Sequence, residues 1–266
     1  VNTIRGCPYK CTYCASPFHW DRKTTRLRSP ESVLEEMHHL KNNYYVPTNF
    51  DYAASANIEE KDQLKIEDNT IVYFVDDVFT VHKKRVKKML RMMIKDNLKM
   101  RWKCEARADH LDDEICELMA EAGCERVKIG FESGSDRILS EVKKLETRDE
   151  MLKGADMLKK AGVPFSAYFM AGFPGETDED LKQTIDFAKK VDADYYSLSV
   201  LAPYYGTELY DTLMKNGHEL DKQPWEYFFH QSPKPMVNDK LSTKVLEEYL
   251  ALAELNKLSR KKRGYI

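Results

Sequence analysis

An α/β fold built on a parallel sheet is what this sequence predicts, and three observations carry the prediction. Six short apolar runs, rich in β-branched and aromatic residues, recur along the chain, and amphipathic segments of helix length separate most of them. The connections are far longer than a hairpin turn, so successive strands are expected to run parallel and to wind in one right-handed sense. Six units fall short of the eight that close a full barrel, which leaves an open, partial barrel or a doubly wound sheet.

The strands are expected at residues 2–5, 71–76 (IVYFVD), 101–106, 126–131 (RVKIGF), 165–171 (FSAYFMA) and 195–201 (YYSLSVL). Helical periodicity marks 30–43, 83–97, 112–122, 148–161 and 178–191. Gly123 after Ala122 and Gly162 after Ala161 can take the left-handed conformation that closes a helix. Thr177 followed by Asp178, Glu179 and Asp180 reads as a capped start, with negative charge against the helix dipole.

Two regions break the rhythm. Residues 46–69 are polar and long for a connection, and are read as a surface insertion in preference to a lid. Beyond Tyr205 the repeat fades through 207–216 and an aromatic, proline-containing passage at 225–235, before a helix from 242 to about 260. These features divide the chain into a core at 1–217 and a C-terminal extension at 218–266 that covers the open edge or mouth of the sheet.

With 266 residues the chain can bury a substantial core. It has no apolar run long enough to span a bilayer, and its formal net charge of −2 is not the footprint of a general nucleic-acid binder. The basic residues crowded between Lys83 and Arg91 are read as a solvated helix face. Absence of a secretory leader, together with cysteines that form no disulfide pattern, points to a reducing cytoplasm. The chain starts at Val1 rather than Met, and is read as a domain taken from a longer protein.

Cysteine placement is uneven. Cys104, Cys116 and Cys124 are scattered through regular elements and are read as small core residues, whereas Cys7, Cys11 and Cys14 fall together in RGCPYKCTYCA. His19 would complete a Cys3His zinc site, and a thioredoxin-type site would need only a lone Cys-x-x-Cys. Three thiolates on one tight loop better suit a cubane iron–sulfur cluster with one iron left for other ligands.

The spacing Cys-x3-Cys-x-aromatic-Cys, with Tyr13 as the aromatic residue, resembles the signature of the radical S-adenosylmethionine (SAM) enzymes. That resemblance implies a partial (β/α)6 barrel of parallel strands with outer helices, a [4Fe-4S] cluster on Cys7, Cys11 and Cys14, and reductive cleavage of SAM to methionine and a 5′-deoxyadenosyl radical. It further implies SAM contacts at the strand ends: Asp76 and Asp77 in IVYFVDDVFT, Glu105 and Glu132 in the block WKCEARADHLDDEICELMAEAGCERVKIGFESGSDRIL, and Gly172 in AYFMAGFPGETDEDL, where Gly175 is a second close-approach glycine. Arg107 belongs to the same neighbourhood. Lys144 in VKKLET stands where relatives place a basic residue, with Leu145 instead of their glycine and Lys143 beside it, so the register is open by one position. The block VLAPYYGTELYDTL also matches, with Tyr205 in place of a proline, and LSRKKRGYI echoes the family more weakly.

The Asp-Asp-x-Phe-Thr and Glu-Ser-Gly-Ser runs look most like the branch with an N-terminal cobalamin-binding domain, whose members methylate, cyclise or rearrange small molecules. Cobalamin would then be held by a domain outside this chain, and electrons would come from a donor such as flavodoxin or ferredoxin. An alternative is methylthiolation of tRNA or protein, which needs a second cluster that Cys104, Cys116 and Cys124 fit poorly. A non-enzymatic alternative is an iron–sulfur or zinc-binding interaction module. Phe169, Tyr196, Tyr204 and Trp225 are expected to line the substrate pocket.

Overall fold

The computed structural model describes residues 1–20, 25–43, 71–229 and 235–256. Elements follow in the order β1 (Ile4–Arg5), α1 (Ser16–His19), β2 (Arg26–Leu27), α2 (Pro30–Asn43), β3 (Ile71–Phe74), α3 (Lys83–Lys95), β4 (Arg101–Ala106), α4 (Asp113–Glu121), β5 (Cys124–Glu132), α5 (Asp136–Glu141), α6 (Arg148–Lys160), β6 (Phe165–Ala171), α7 (Asp178–Val191), β7 (Tyr195–Val200), α8 (Glu208–Lys215) and α9 (Thr243–Leu250). The expected insertion at 46–69 and the LSRKKRGYI run lie outside the described residues.

Strands β3 to β7 form a five-stranded sheet in chain order, every pair parallel. The order never reverses, so there is no switch point of the doubly wound kind, and the sheet winds one way as a barrel does. The first expected strand is shorter than its reading and pairs antiparallel with β2. Two main-chain bonds nevertheless hold the chain's start to the edge of β3, Val1 N to Tyr73 O and Val75 N to Val1 O, both 2.9 Å. Gly6, at φ 95°, then turns the chain away into the cysteine loop, which is why no longer strand forms.

Period-two alternation decides what faces the site. On β5, Val127, Ile129 and Phe131 are fully buried against the helices, so Lys128, Gly130 and Glu132 point to the concave face. Two aromatic groups anchor the helix side: Phe74, Phe79 and Trp102 near the β3 edge, and Phe131, Phe165, Phe169 and Phe187 further along. Each such side chain contributes roughly 1.5–3 kcal/mol by leaving water. Cys104, Cys116 and Cys124 lie in this same core as free thiols.

Helix caps match the sequence. Thr177 and Asp180 form a reciprocal capping box on α7, and Thr147 and Glu150 form another on α6. Within α6, a Cβ on Gly154 would lie 2.6 Å from the Ala108 carbonyl, so glycine lets this helix press against the turn that follows β4.

The helix expected from 242 to about 260 is interrupted: α9 gives way to a 3₁₀ turn at Ala251–Glu254, and 257–260 lie outside the described residues. It packs on α7 and covers the free edge of β7. The Tyr249 hydroxyl donates to Ser199 O and accepts from Ser199 N, while the Asn256 side chain brackets the Tyr196 main chain. Among the described residues no helix is long and apolar enough to cross a membrane.

Candidate active site

A cavity of about 340 Å³ opens at the carboxyl ends of the strands, and Cys7, Cys11 and Cys14 line it together with Tyr13, Asp77, Glu105, Glu132 and Lys144. These residues come from five separate stretches of chain, so the convergence is a property of the fold.

The cysteine loop is tied down at both ends. Asp77 accepts from Gly6 N and from the Ser16 hydroxyl, Thr12 N donates to Val142 O at 3.0 Å, and Leu209 N donates to Thr12 O at 2.9 Å. Tyr9, between the first two cysteines, hydrogen-bonds His110 and carries the Arg107 guanidinium on its ring at 3.6 Å. Burial pushes the Cys7 thiol up to about 11, with Cys14, Cys11 and Asp77 adding to the rise, and burial also raises Cys11. Such thiols ionise when a soft cationic centre takes them as ligands. In a cubane each thiolate binds a different iron, so the three cysteines need not converge on one point. Three free, partly buried cysteines lining one cavity thus fit a [4Fe-4S] cluster.

Opposite the loop lies a buried charge network. Lys144 is 6% exposed, and its ammonium lies 3.5 Å from Glu132 Oε1 and 3.3 Å from Glu146 Oε2. Arg107 reaches the same Glu146 oxygen at 3.3 Å, bonds Asp109 at 3.0 Å, and donates to the carbonyls of Lys144 and Leu145. Burial alone would lower both pKa values, yet Glu132 and Glu146 around Lys144, and Asp109 and Glu146 around Arg107, raise them instead. Lys143 and Leu145 both take left-handed backbone, at φ 55°. That reversal aims Lys144 into the cavity and sends Lys143 outward to Glu208, so geometry separates the two lysines that the sequence left ambiguous. Glu132 is left-handed too, at φ 62°, where the β5–β6 register slips.

Other expected residues stand elsewhere. Asp76 is buried away from the cavity lining, its carboxylate accepting from Thr3 N at 2.6 Å, the Thr3 hydroxyl at 2.6 Å and Ile4 N at 3.0 Å; it pins the chain's start. Gly172 also lies outside the lining; its N–H donates to Glu176 at 2.6 Å, and a Cβ there would press on Pro235 at 3.0 Å. Gly175 has open space around it. Phe169 borders the cavity but its ring packs with Phe131 and Phe187 on the helix side, and Tyr196 is core, its hydroxyl bonded to Ala193 N and Ala188 O. Tyr204 and Trp225 line a separate groove with His19, so His19 is not turned toward the cavity of the cysteines.

Sequence reading passed over Tyr9, Ser16, Lys128, Tyr168 and Ser199, all on the cavity wall. Lys128 was within reach, because stepping back along β5 from Glu132 by two residues at a time gives Gly130 and then Lys128.

A family model of the Radical SAM superfamily matches residues 1–188. The chain belongs to this superfamily. It is 32% identical over 216 residues to an uncharacterized methyltransferase of Pyrococcus horikoshii, covering 81% of this chain and 42% of that protein. It is 26% identical over 255 residues to the bacteriochlorophyllide d C-12(1)-methyltransferase of Chlorobaculum tepidum, covering 95% of this chain and 50% of that protein. The chain therefore spans half or less of the length of these relatives. Among solved structures, the radical SAM methyltransferase TsrM from Kitasatospora setae, with cobalamin and a [4Fe-4S] cluster bound, superposes with TM-score 0.66 at 20% identity, over 81% of this chain and 39% of that one; at that identity the likeness is one of fold.

Proposed function

We propose that this chain is the core of a radical SAM enzyme that reductively cleaves SAM to a 5′-deoxyadenosyl radical, for methylation, cyclisation or rearrangement of a small molecule. The observation that carries the reading is the meeting of Cys7, Cys11 and Cys14 with Lys144 and Glu132 on one cavity wall. When bound, a [4Fe-4S] cluster supplies the electron for carbon–sulfur cleavage and an iron to chelate the methionine end of SAM.

The chain's own residues do the rest. The Lys144 ammonium stands ready to pair with the SAM carboxylate by a charge-assisted bond, and Glu132 and Glu146 keep it charged. Carboxylates such as Glu132 suit the SAM ammonium or the ribose hydroxyls as acceptors. Tyr13, half-buried and edge-on to Phe173 at 5.9 Å, shields the thiolates on one side. Asp77 acts here through the cysteine loop that it holds, and Asp76 through the chain's start; Gly172 shapes the β6–α7 turn. A solved neighbour with cobalamin bound, together with relatives about twice as long, supports a cobalamin-binding domain in the whole protein; the proposal further takes a cytoplasmic setting and an electron donor of the flavodoxin or ferredoxin kind. Within this scheme 1–217 is the catalytic core and 218–266 a C-terminal extension, of which α9 and Asn256 pack on α7 and β7.

Anaerobic reconstitution followed by dithionite reduction tests the reading. The protein should bind about four irons, absorb in the visible range and release 5′-deoxyadenosine from SAM; Cys11→Ala should lose all three properties and Cys104→Ala none. An intact cluster that yields no 5′-deoxyadenosine would refute it.

A further inference from the structure

Beneath the cavity, the concave face of the sheet carries more positive charge than its neighbours cancel. Register places Lys103 of β4 beside Arg126 of β5, and Lys128 one pleat further up, beside Glu105. Both lysines sit over one ring, the Lys128 ammonium 4.4 Å and the Lys103 ammonium 5.2 Å from the centroid of Tyr73, while the Arg126 guanidinium lies 5.8 Å from the ring of Tyr195. Among the described residues, no carboxylate pairs with Lys103 or Arg126, and Glu105 is the one acid against Lys128, at 3.8 Å. That acid is also claimed by the Tyr73 hydroxyl. Burial lowers the Lys128 pKa, Glu105 opposes the fall, and Lys103 and Arg126 add to it. Three cations gathered on aromatic rings with a single shared acid form an arrangement completed by an anion.

The position suits a substrate. Lys128 lines the same cavity as the cysteines, and Glu132 lies four residues further along β5, roughly 13 Å away at the rise of a parallel strand. An oxyanion held by Lys128 and Lys103 would place the carbon skeleton attached to it between the basic row and the SAM end. We propose that Lys103, Arg126 and Lys128, with Tyr73, form the subsite for an oxyanion group of the substrate, a carboxylate or a phosphate ester, so that the substrate belongs to the class of anionic small molecules. The role as substrate subsite rests on the radical SAM reading above; the anion site itself rests on the basic row.

Binding of inorganic phosphate and of succinate to the reconstituted chain, followed by calorimetry with SAM affinity measured in parallel, tests it. Wild type should bind at least one of the two, and the one preferred separates phosphate ester from carboxylate. Lys128→Gln and Lys103→Gln should each weaken that binding about five- to tenfold, with SAM affinity unchanged. Lys160→Gln, which removes a surface lysine paired with Asp113, should change neither. No binding of either anion, or equal binding in all three variants, overturns the proposal. Anion binding with the expected losses, in a protein that neither binds nor cleaves SAM, would refute the radical SAM reading and with it the substrate role, while upholding the anion site.

Discussion

The Arg107 guanidinium lies 3.6 Å from the centroid of the Tyr9 ring, which joins the end of β4 to the middle of the cysteine loop. Tyr9 falls between Cys7 and Cys11, so this stack fixes the loop from outside its own ladder of main-chain bonds. Arg107 is in turn held by Asp109, Glu146 and two carbonyls, and cannot follow the loop if it moves.

Removing the ring should therefore loosen the cluster loop first. Tyr9→Ala forfeits a cation–π contact worth about 0.5–2 kcal/mol, and the reconstituted protein should lose visible absorbance faster in air and against a chelator. Tyr9→Phe keeps the ring and gives up only the bond to His110, so its decay should stay near wild type. Identical decay in all three proteins would contradict the assignment.

The two adjacent lysines give a sharper contrast. Lys144 is buried among Glu132 and Glu146, while Lys143 is paired with Glu208 at the surface. Lys144→Met should raise the SAM dissociation constant by about tenfold or more, the worth of a charge-assisted bond, with Lys144→Arg recovering part of the loss. Lys143→Met should leave SAM affinity within about twofold, as exposed pairs contribute little. Equilibrium dialysis with SAM on cluster-loaded protein would decide, and equal effects at both positions would sink the assignment.

Much of this was legible in the chain itself, for reasons that differ from residue to residue. The parallel sheet was readable because its strands are short apolar runs between amphipathic helices, and the cysteine loop because its spacing is chemically specific. Lys128 was missed because a charged residue inside RVKIGF looks like a solvent-facing position, when the curve of the sheet turns that face inward. Asp76 and Asp77 read alike as neighbours at a strand end, but alternation sends one toward Thr3 and the other to the cavity. Glu146 gave no signal, because its partners Arg107 and Lys144 meet it only through the left-handed turns at Lys143 and Leu145. Leu145 in that conformation departs from the glycine that its φ favours, and its exposed side chain finds room outside.

Glu176 supplies a pH-dependent test of the loop after β6. Its Oε2 accepts from Gly172 N at 2.6 Å and Phe173 N at 3.2 Å, while the fully buried Oε1 has no hydrogen-bond partner. Burial pushes this carboxyl up to about 7, against the pull of the two N–H donors. A carboxyl whose pKa is higher folded than unfolded keeps its proton in the folded state where the unfolded chain has released it. Stability should therefore fall as pH rises from about 4.5 to 7, and the full cost, roughly 3 kcal/mol, should be present above that window. Urea unfolding at pH 5 and pH 8 should show this loss in wild type, and Glu176→Gln, which carries no charge at either pH, should remove that part of the slope. A variant whose stability falls between the two pH values as steeply as wild type would show that Glu176 does not titrate in the window.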